Sequence, residues 1–217
     1  RDSLYSEIKM QLRKFASNSE DFMKAFEKSN WAADFELIGD NQKMTFPTKK
    51  ALGVVWNTGT DEFSFPTSEK LGLPKSLSQP ITKRIILQEL ARVFDPIGII
   101  SPVLVNGRTI LQDCWKAECG WDDIVPEKLQ KAWRGWIEDS QLLPEVKIPR
   151  VLVPTREGDE VKETQLHTFC DASGYAYGFI MYVRVLYESG FIYVNIACSK
   201  AKVAPIKQVS IPRLELE

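Results

Sequence analysis

The stretch Leu166-His167-Thr168-Phe169-Cys170-Asp171-Ala172-Ser173 is followed about forty residues later by Ile211-Pro212-Arg213-Leu214-Glu215-Leu216-Glu217. The first piece reads as a strand that ends on a carboxylate and turns at Gly174. The second reads as the first turn of a helix, with Pro212 near its start, where a missing N–H costs nothing. Between them lie two more strand-like runs, Ala176–Val185 and Phe191–Cys198. The links between these runs are too short for a crossover, so neighbouring strands must pair antiparallel. The order strand, strand, strand, helix therefore predicts a three-stranded antiparallel sheet. One acid, Asp171, stands at the end of its first strand and another, Glu215, on the helix that follows.

Upstream the pattern is different. Leu4, Ile8, Leu12 and Phe15 form the stripe of an amphipathic helix over Ser3–Phe15. Ser17-Asn18-Ser19-Glu20 offers a capping box for a second helix to about Lys28. Lys43–Phe46, Leu52–Trp56 and Glu62–Phe65 read as short strands, the last two joined at Asn57-Thr58-Gly59-Thr60 as a hairpin. Pro66–Pro80 reads as a linker. Three helices are then predicted: Lys83–Phe94 capped by Thr82, one opened by Ser101-Pro102 and running to about Cys119, and one opened by Pro126. Trp133 and Trp136 fall on the face of Leu129 in the last of these. That placement favours a packed helical core over a base-stacking platform. Arg156–Thr164 is charged and reads as a solvated linker.

The whole is an α+β chain. Its hydrophobic content of 44% and charged content of 26% suit a globular protein, and 217 residues allow one or two domains. The formal net charge of −1 argues against strong autonomous nucleic-acid binding but leaves room for a local basic groove. Cys114, Cys119, Cys170 and Cys198 form no C-x-x-C pair and read as reduced thiols. A single histidine, His167, excludes a His-rich zinc site. No apolar run reaches membrane-spanning length, and no membrane partner is expected. Arg1-Asp2-Ser3-Leu4 has neither an initiating Met nor a signal-like segment, and reads as the start of a piece cut from something longer.

Asp171 and Glu215 are the candidate catalytic and metal-ligating residues. Phosphodiester hydrolysis needs an activated water and charge relief on the leaving oxygen. Divalent metals held by clustered carboxylates supply both, and Mg²⁺ prefers oxygen ligands. Asp on a first strand, two antiparallel strands, then Glu on the first helix resembles the opening half of a ribonuclease H fold.

Longer motifs extend this. Leu12-Arg13-Lys14-Phe15-Ala16-Ser17-Asn18, Leu52-Gly53-Val54-Val55-Trp56, the run Ala91-Arg92-Val93-Phe94-Asp95-Pro96-Ile97-Gly98-Ile99-Ile100-Ser101-Pro102, and Ala201-Lys202-Val203-Ala204-Pro205 stand in order along the chain. With Ile211–Leu216 they resemble the pol polyprotein of BEL/Pao-type retrotransposons, in the part that joins reverse transcriptase to ribonuclease H. This is the segment catalogued as the Pao retrotransposon peptidase family. The resemblance implies three regions: residues 1–80 as the end of the reverse-transcriptase palm and thumb, 81–164 as a helical connection, and 165–217 as the truncated N-terminal half of a ribonuclease H-like domain. It implies Mg²⁺ as cofactor of the complete parent, an RNA–DNA hybrid and the rest of the polyprotein as partners, and a cytoplasmic location in the virus-like particle of the parent element. Lys14, Trp56, Lys83, Arg84 and Lys202 are the expected nucleic-acid contacts, Lys202 within the basic cluster Lys200–Lys207.

Departures from the family pattern set further expectations. The polymerase Asp-Asp hairpin is missing; Asp122-Asp123 sits in a loop before a helix. Asp171-Ala172-Ser173-Gly174 and Asn57-Thr58-Gly59 cannot supply the shared-proton dyad of an aspartic peptidase. Polymerase and peptidase activities are therefore not expected. A ribonuclease H site needs four carboxylates, and beyond Asp171 and Glu215 the nearest acids are Asp159, Glu188 and Glu217. The fragment is expected to be inactive alone; the alternative is a domesticated, non-catalytic interaction module. Phe179, Met181, Val183, Ile192, Val194 and Ile196 are expected to line one apolar sheet face left open to water.

Overall fold

The computed structural model describes residues 17–19, 21–22, 48–51, 54–65 and 80–216. The expected helix over Ser3–Phe15, with Lys14, and the expected strand at Lys43–Phe46 lie outside the described residues, as does most of the linker. At Ser19 the hydroxyl accepts from the Phe22 N–H at 3.3 Å, an N-cap contact where the second helix is expected to begin.

Three short strands, β1 (Thr48–Ala51), β2 (Val54–Asn57) and β3 (Glu62–Ser64), form an antiparallel meander. The β2–β3 turn closes where the sequence puts it. Asn57 Oδ1 accepts from the N–H groups of Gly59 and Thr60, at 2.9 and 3.2 Å, an Asx turn. A two-residue strand, β4 (Ile148–Pro149), adds to the β3 edge.

Helices α1 (Lys83–Arg92), α2 (Ser101–Lys116) and α3 (Glu127–Ser140) follow. Thr82 caps α1 through Ile85 N–H at 3.3 Å. The predicted core is present: Trp133 and Trp136 stack with ring centroids 4.7 Å apart, and Leu129, Ile86, Leu90, Leu104 and Cys114 are buried with them. Trp136 Nε1 donates to the Val103 carbonyl of α2 at 2.8 Å. Gly107 is what lets α2 approach so closely. A Cβ there would lie 2.5 Å from Leu90 Cδ2 and 2.9 Å from the Trp136 ring. The helix propensity that glycine forfeits is offset by this contact. Val54 of β2 and Phe65 join the same core, so the meander and the helices pack as one unit.

The second sheet is β5 (Val161–Ala172), β6 (Ala176–Tyr187) and β7 (Ile192–Val203), in the order β5-β6-β7 and antiparallel throughout. All three strands are longer than the sequence pattern predicts. β5 takes in the end of the expected linker, whose remainder is clasped: Arg156 stacks 3.9 Å over Phe191, and Asp159 accepts from Ser189. A four-residue helix, α4 (Ile211–Leu214), follows the sheet.

The expected single apolar face is not what forms. Cross-strand partners share a face. Val183 pairs with Leu166 and Asn195, whereas Arg184 pairs with Gln165 and Val194. Phe179, Met181 and Val183 therefore lie on one face, and Ile192, Val194 and Ile196 on the other. The cause is a β-bulge in β7: Met181 pairs with Cys198 but Tyr182 with Ile196, so Ala197 is the extra residue. One inserted residue reverses the facing of everything beyond it. The first face is partly covered. The segment Pro149–Pro154 crosses it, accepting from Asn195 Nδ2 at Pro149 (2.7 Å) and from the Tyr193 hydroxyl at Val151 (3.2 Å). The second face stays open around Phe169, 60% exposed, and Val194, 53%.

The two units meet along the outer edge of β7. Ser199 N–H donates to the Ile97 carbonyl at 2.8 Å, Ser199 Oγ donates to that of Gly98, and Gln112 of α2 donates to Ala204.

Candidate active site

β5 ends at Ala172, and Asp171 is its last charged residue. Its partner across the ladder is Gly178, followed on β7 by Ala201. These small neighbours leave the carboxylate exposed; Oδ1 accepts from the Ala172 N–H at 2.9 Å. Glu215 closes α4, with its N–H donating to Ile211 at 3.0 Å and its side chain exposed. The helix is anchored by Leu214, which is buried. Asp171 and Glu215 border one pocket, together with Cys170, Tyr177, Lys200 and Lys202. Asp171 also borders a second hollow on the other side, against Ser101 and Pro102 at the start of α2. Neither carboxylate is in an ion pair among the described residues.

The bulge in β7 decides which basic residues reach the pocket. Lys200 pairs with Phe179, and Lys202 with Tyr177, so both lie on one face. Lys202 Nζ lies 5.6 Å from the centre of the Tyr177 ring. Lys200 belongs to the cluster that the sequence marks as basic, but only the register singles it out from Lys207.

Other expected contacts have internal partners. Lys83 is buried, its ammonium 3.8 Å from the Trp115 ring centre and donating to the Cys119 carbonyl. It is turned into the fold and presents nothing to a phosphate. Arg84 is exposed but forks onto Asp122, with Nε at 2.7 Å and Nη2 at 2.9 Å. Trp56 donates from Nε1 to Asp61 at 2.9 Å and lies under the Arg150 guanidinium, 5.2 Å from the ring centre. Asp159, one of the acids nearest in sequence, sits at the opposite end of the sheet from Asp171, bound to Arg156 and Ser189. Glu188 lies in the turn beside it, and Glu217 lies outside the described residues. Among the described residues no group of three potential metal ligands occurs, and no helix is long and apolar enough to cross a membrane.

The Asp61–Arg150 pair gives a pH-dependent prediction. Arg150 donates to Asp61 from Nε at 2.6 Å and from Nη2 at 2.9 Å. That bond holds the Asp61 carboxyl below its usual range, opposed by partial burial and helped by Trp56. A depressed folded pKa means the contribution is fully present above the unfolded carboxyl value of about 3.9 and is lost as pH falls through the lower folded value. Asp61→Asn should therefore cost about 1 kcal/mol at pH 7, a figure kept small because solvent reaches Arg150. The difference between variant and wild type in urea melts should shrink as pH falls below the unfolded carboxyl value and on through the depressed folded value. A difference that stays constant as pH falls through the carboxyl range would contradict the assignment.

The family comparison bears on the sheet and helices together. The family described as Pao retrotransposon-like RNaseH-like domain matches residues 82–217. The chain belongs to this family. The match takes in α1, α2 and α3 as well as the sheet, and it identifies the chain as a segment of a Pao-type retrotransposon pol polyprotein. The α+β architecture, with Asp171 on the first strand of an antiparallel sheet and Glu215 on the helix after the third, agrees with an RNase H-like domain. No curated protein matches the chain.

Proposed function

We propose that this Pao-family segment carries part of the metal-dependent site that cleaves the RNA strand of an RNA–DNA hybrid. The observation behind this reading is that Asp171 and Glu215, from two separate elements, border one pocket with both carboxylates free of ion pairs. Oxygen donors of this kind suit Mg²⁺. Asp171 and Glu215 would be two of its ligands, and a bound ion would supply the activated water and charge relief that phosphodiester hydrolysis requires. The two carboxylates are a partial set, so the segment alone is inactive and needs the remaining carboxylates of the pol polyprotein. Residues 1–80 are the end of the reverse-transcriptase palm and thumb, 81–164 the helical connection, and 165–217 the first half of the ribonuclease H-like domain. The parent copies RNA into DNA, within the particle of the element in the cytoplasm.

Mn²⁺ titration followed by amide NMR tests the metal assignment without relying on activity. Paramagnetic broadening should centre on residues 170–173 and 213–216 and should vanish from both groups in Asp171→Asn. Broadening centred elsewhere, or unchanged in the variant, would remove the assignment.

A further inference from the structure

The chain has four cysteines, and the fold sorts them into two kinds. Cys170 and Cys198 lie on β5 and β7, with β6 between them. Two strand spacings, about 9.6 Å, separate those strands. A disulfide needs Cα atoms about 4.4–6.8 Å apart, so this pair cannot close. Cys114 and Cys119 are placed differently. Beyond the end of α2, Glu118 takes the left-handed conformation, with φ +54°. Its N–H donates to the Trp115 carbonyl at 3.1 Å, and the Cys119 N–H reaches back over it to the Cys114 carbonyl, also at 3.1 Å. These two bonds make a Schellman motif, in which the side chains at the two ends of the wider loop meet. Here both ends are cysteines. Cys119 packs against the core that contains Cys114. Cys114 is fully buried, whereas Cys119 is half-buried and open to solvent. Burial and the nearby Cys119 thiol push the Cys114 thiol up to about 11.

We propose that Cys114 and Cys119 form a reversible dithiol site that closes to an intramolecular disulfide by exchange with a small-molecule disulfide such as oxidised glutathione. Cys119 acts first, because it is the thiol that solvent reaches. It gives its proton to solvent, its sulfur bonds to one glutathione sulfur, and the glutathione S–S bond breaks to release one glutathione. Cys114 then loses its proton, attacks Cys119 Sγ and displaces the second glutathione. Two cysteine thiols thereby give up two electrons and two protons, and one oxidised glutathione becomes two reduced ones. The closed bond staples a segment that holds the start of α1. Lys83 Nζ donates to the Cys119 carbonyl. The Arg84 N–H donates to the Trp121 carbonyl, and the Val125 N–H to the Ile81 carbonyl, both at 3.0 Å. The site lies at the end of α2 opposite Ser101, which borders the Asp171 hollow, so it stands or falls apart from the carboxylate assignment.

Peptide mapping tests the proposal, because Lys116 lies between the two cysteines. The folded chain is equilibrated with a glutathione redox buffer, free thiols are blocked with N-ethylmaleimide in acid, and the protein is digested with trypsin. Cleavage after Lys116 leaves Thr109–Lys116 and Ala117–Lys128 joined only by the disulfide. Mass spectrometry should find this linked pair, with Cys170 and Cys198 carrying single adducts or free thiols. The linked fraction should be several-fold larger in the folded protein than in urea at the same glutathione ratio, since only the folded chain holds the two sulfurs together. No linked pair, or a linked fraction no larger than in urea, overturns the proposal. In Cys114→Ala, Cys119 should stop at the glutathione adduct, and in Cys119→Ser, Cys114 should remain an unmodified thiol. A glutathione adduct on Cys114 in Cys119→Ser with a native circular dichroism spectrum would overturn Cys119 as the attacking thiol. The wild-type map needs no variant to fold.

Discussion

Asp171→Asn is expected to lower RNA–DNA hybrid cleavage on the order of 10³-fold in a pol polyprotein that carries the complete carboxylate set. The amide keeps the shape of the side chain and its place beside Gly178, but it removes the charge with which Asp171 would hold a metal. Metal stabilisation of a phosphodiester transition state is worth several kcal/mol, and about 4 kcal/mol corresponds to roughly 10³ in rate. Glu215→Gln should fall in the same range if both ligate. Asp159→Asn, at the far end of the sheet, should leave the chemical step alone. Single-turnover cleavage of a labelled hybrid separates these outcomes, since it reads chemistry and not product release. Cleavage at the wild-type rate in Asp171→Asn would mean the site lies elsewhere. For the segment alone, no cleavage above buffer is expected, because its described residues gather no third metal ligand.

How much of this could be read beforehand depended on the range of each interaction. Local signals carried through: Thr82 as a cap, Asn57 as a turn former, the shared face of Trp133 and Trp136, and the order of the three long strands. Each is set by neighbours within a few residues. The register of β7 was not legible, because a bulge at Ala197 is a property of the pairing and leaves no mark on the strand's own alternation. That one residue separates Ile192, Val194 and Ile196 from the Val183 face and fixes which face Lys200 and Lys202 occupy. The assignments of Lys83 and Trp56 were likewise out of reach. A Lys-Arg pair at a helix start looks solvated, and only the arrival of Trp115 and Cys119 from more than thirty residues away buries the first member. Asp171 and Glu215 were placed together by the element order alone, since a short helix after three antiparallel strands returns to the first strand's end.

The run Asp95-Pro96-Ile97-Gly98 bears the contact between the helices and the sheet. Asp95 accepts from the N–H groups of Gly98 and Ile99 through Oδ1, at 2.9 and 3.0 Å, and from Ile100 through Oδ2 at 2.9 Å. The loop so fixed offers its Ile97 and Gly98 carbonyls to Ser199 of β7. Gly98 has φ +83°, and a Cβ there would lie 1.6 Å from the Ser199 carbonyl oxygen. No rotamer relieves a clash between two backbones, so Gly98→Ala must pull the loop off the sheet edge. Left-handed backbone costs a non-glycine residue roughly 1–2 kcal/mol, and each hydrogen bond lost from the junction adds about 1 kcal/mol. A total of roughly 3–5 kcal/mol follows, a loss of roughly 10 °C in Tm. Gly158 supplies the comparison. It has φ +70° but nothing within 4 Å of a new Cβ, so Gly158→Ala should cost only the conformational part, roughly 1–2 kcal/mol. Urea melts of the two variants measure the difference. If Gly98→Ala proved no more costly than Gly158→Ala, the loop would not be clamped against β7, and the helices would not set the position of the strand that carries Lys200 and Lys202.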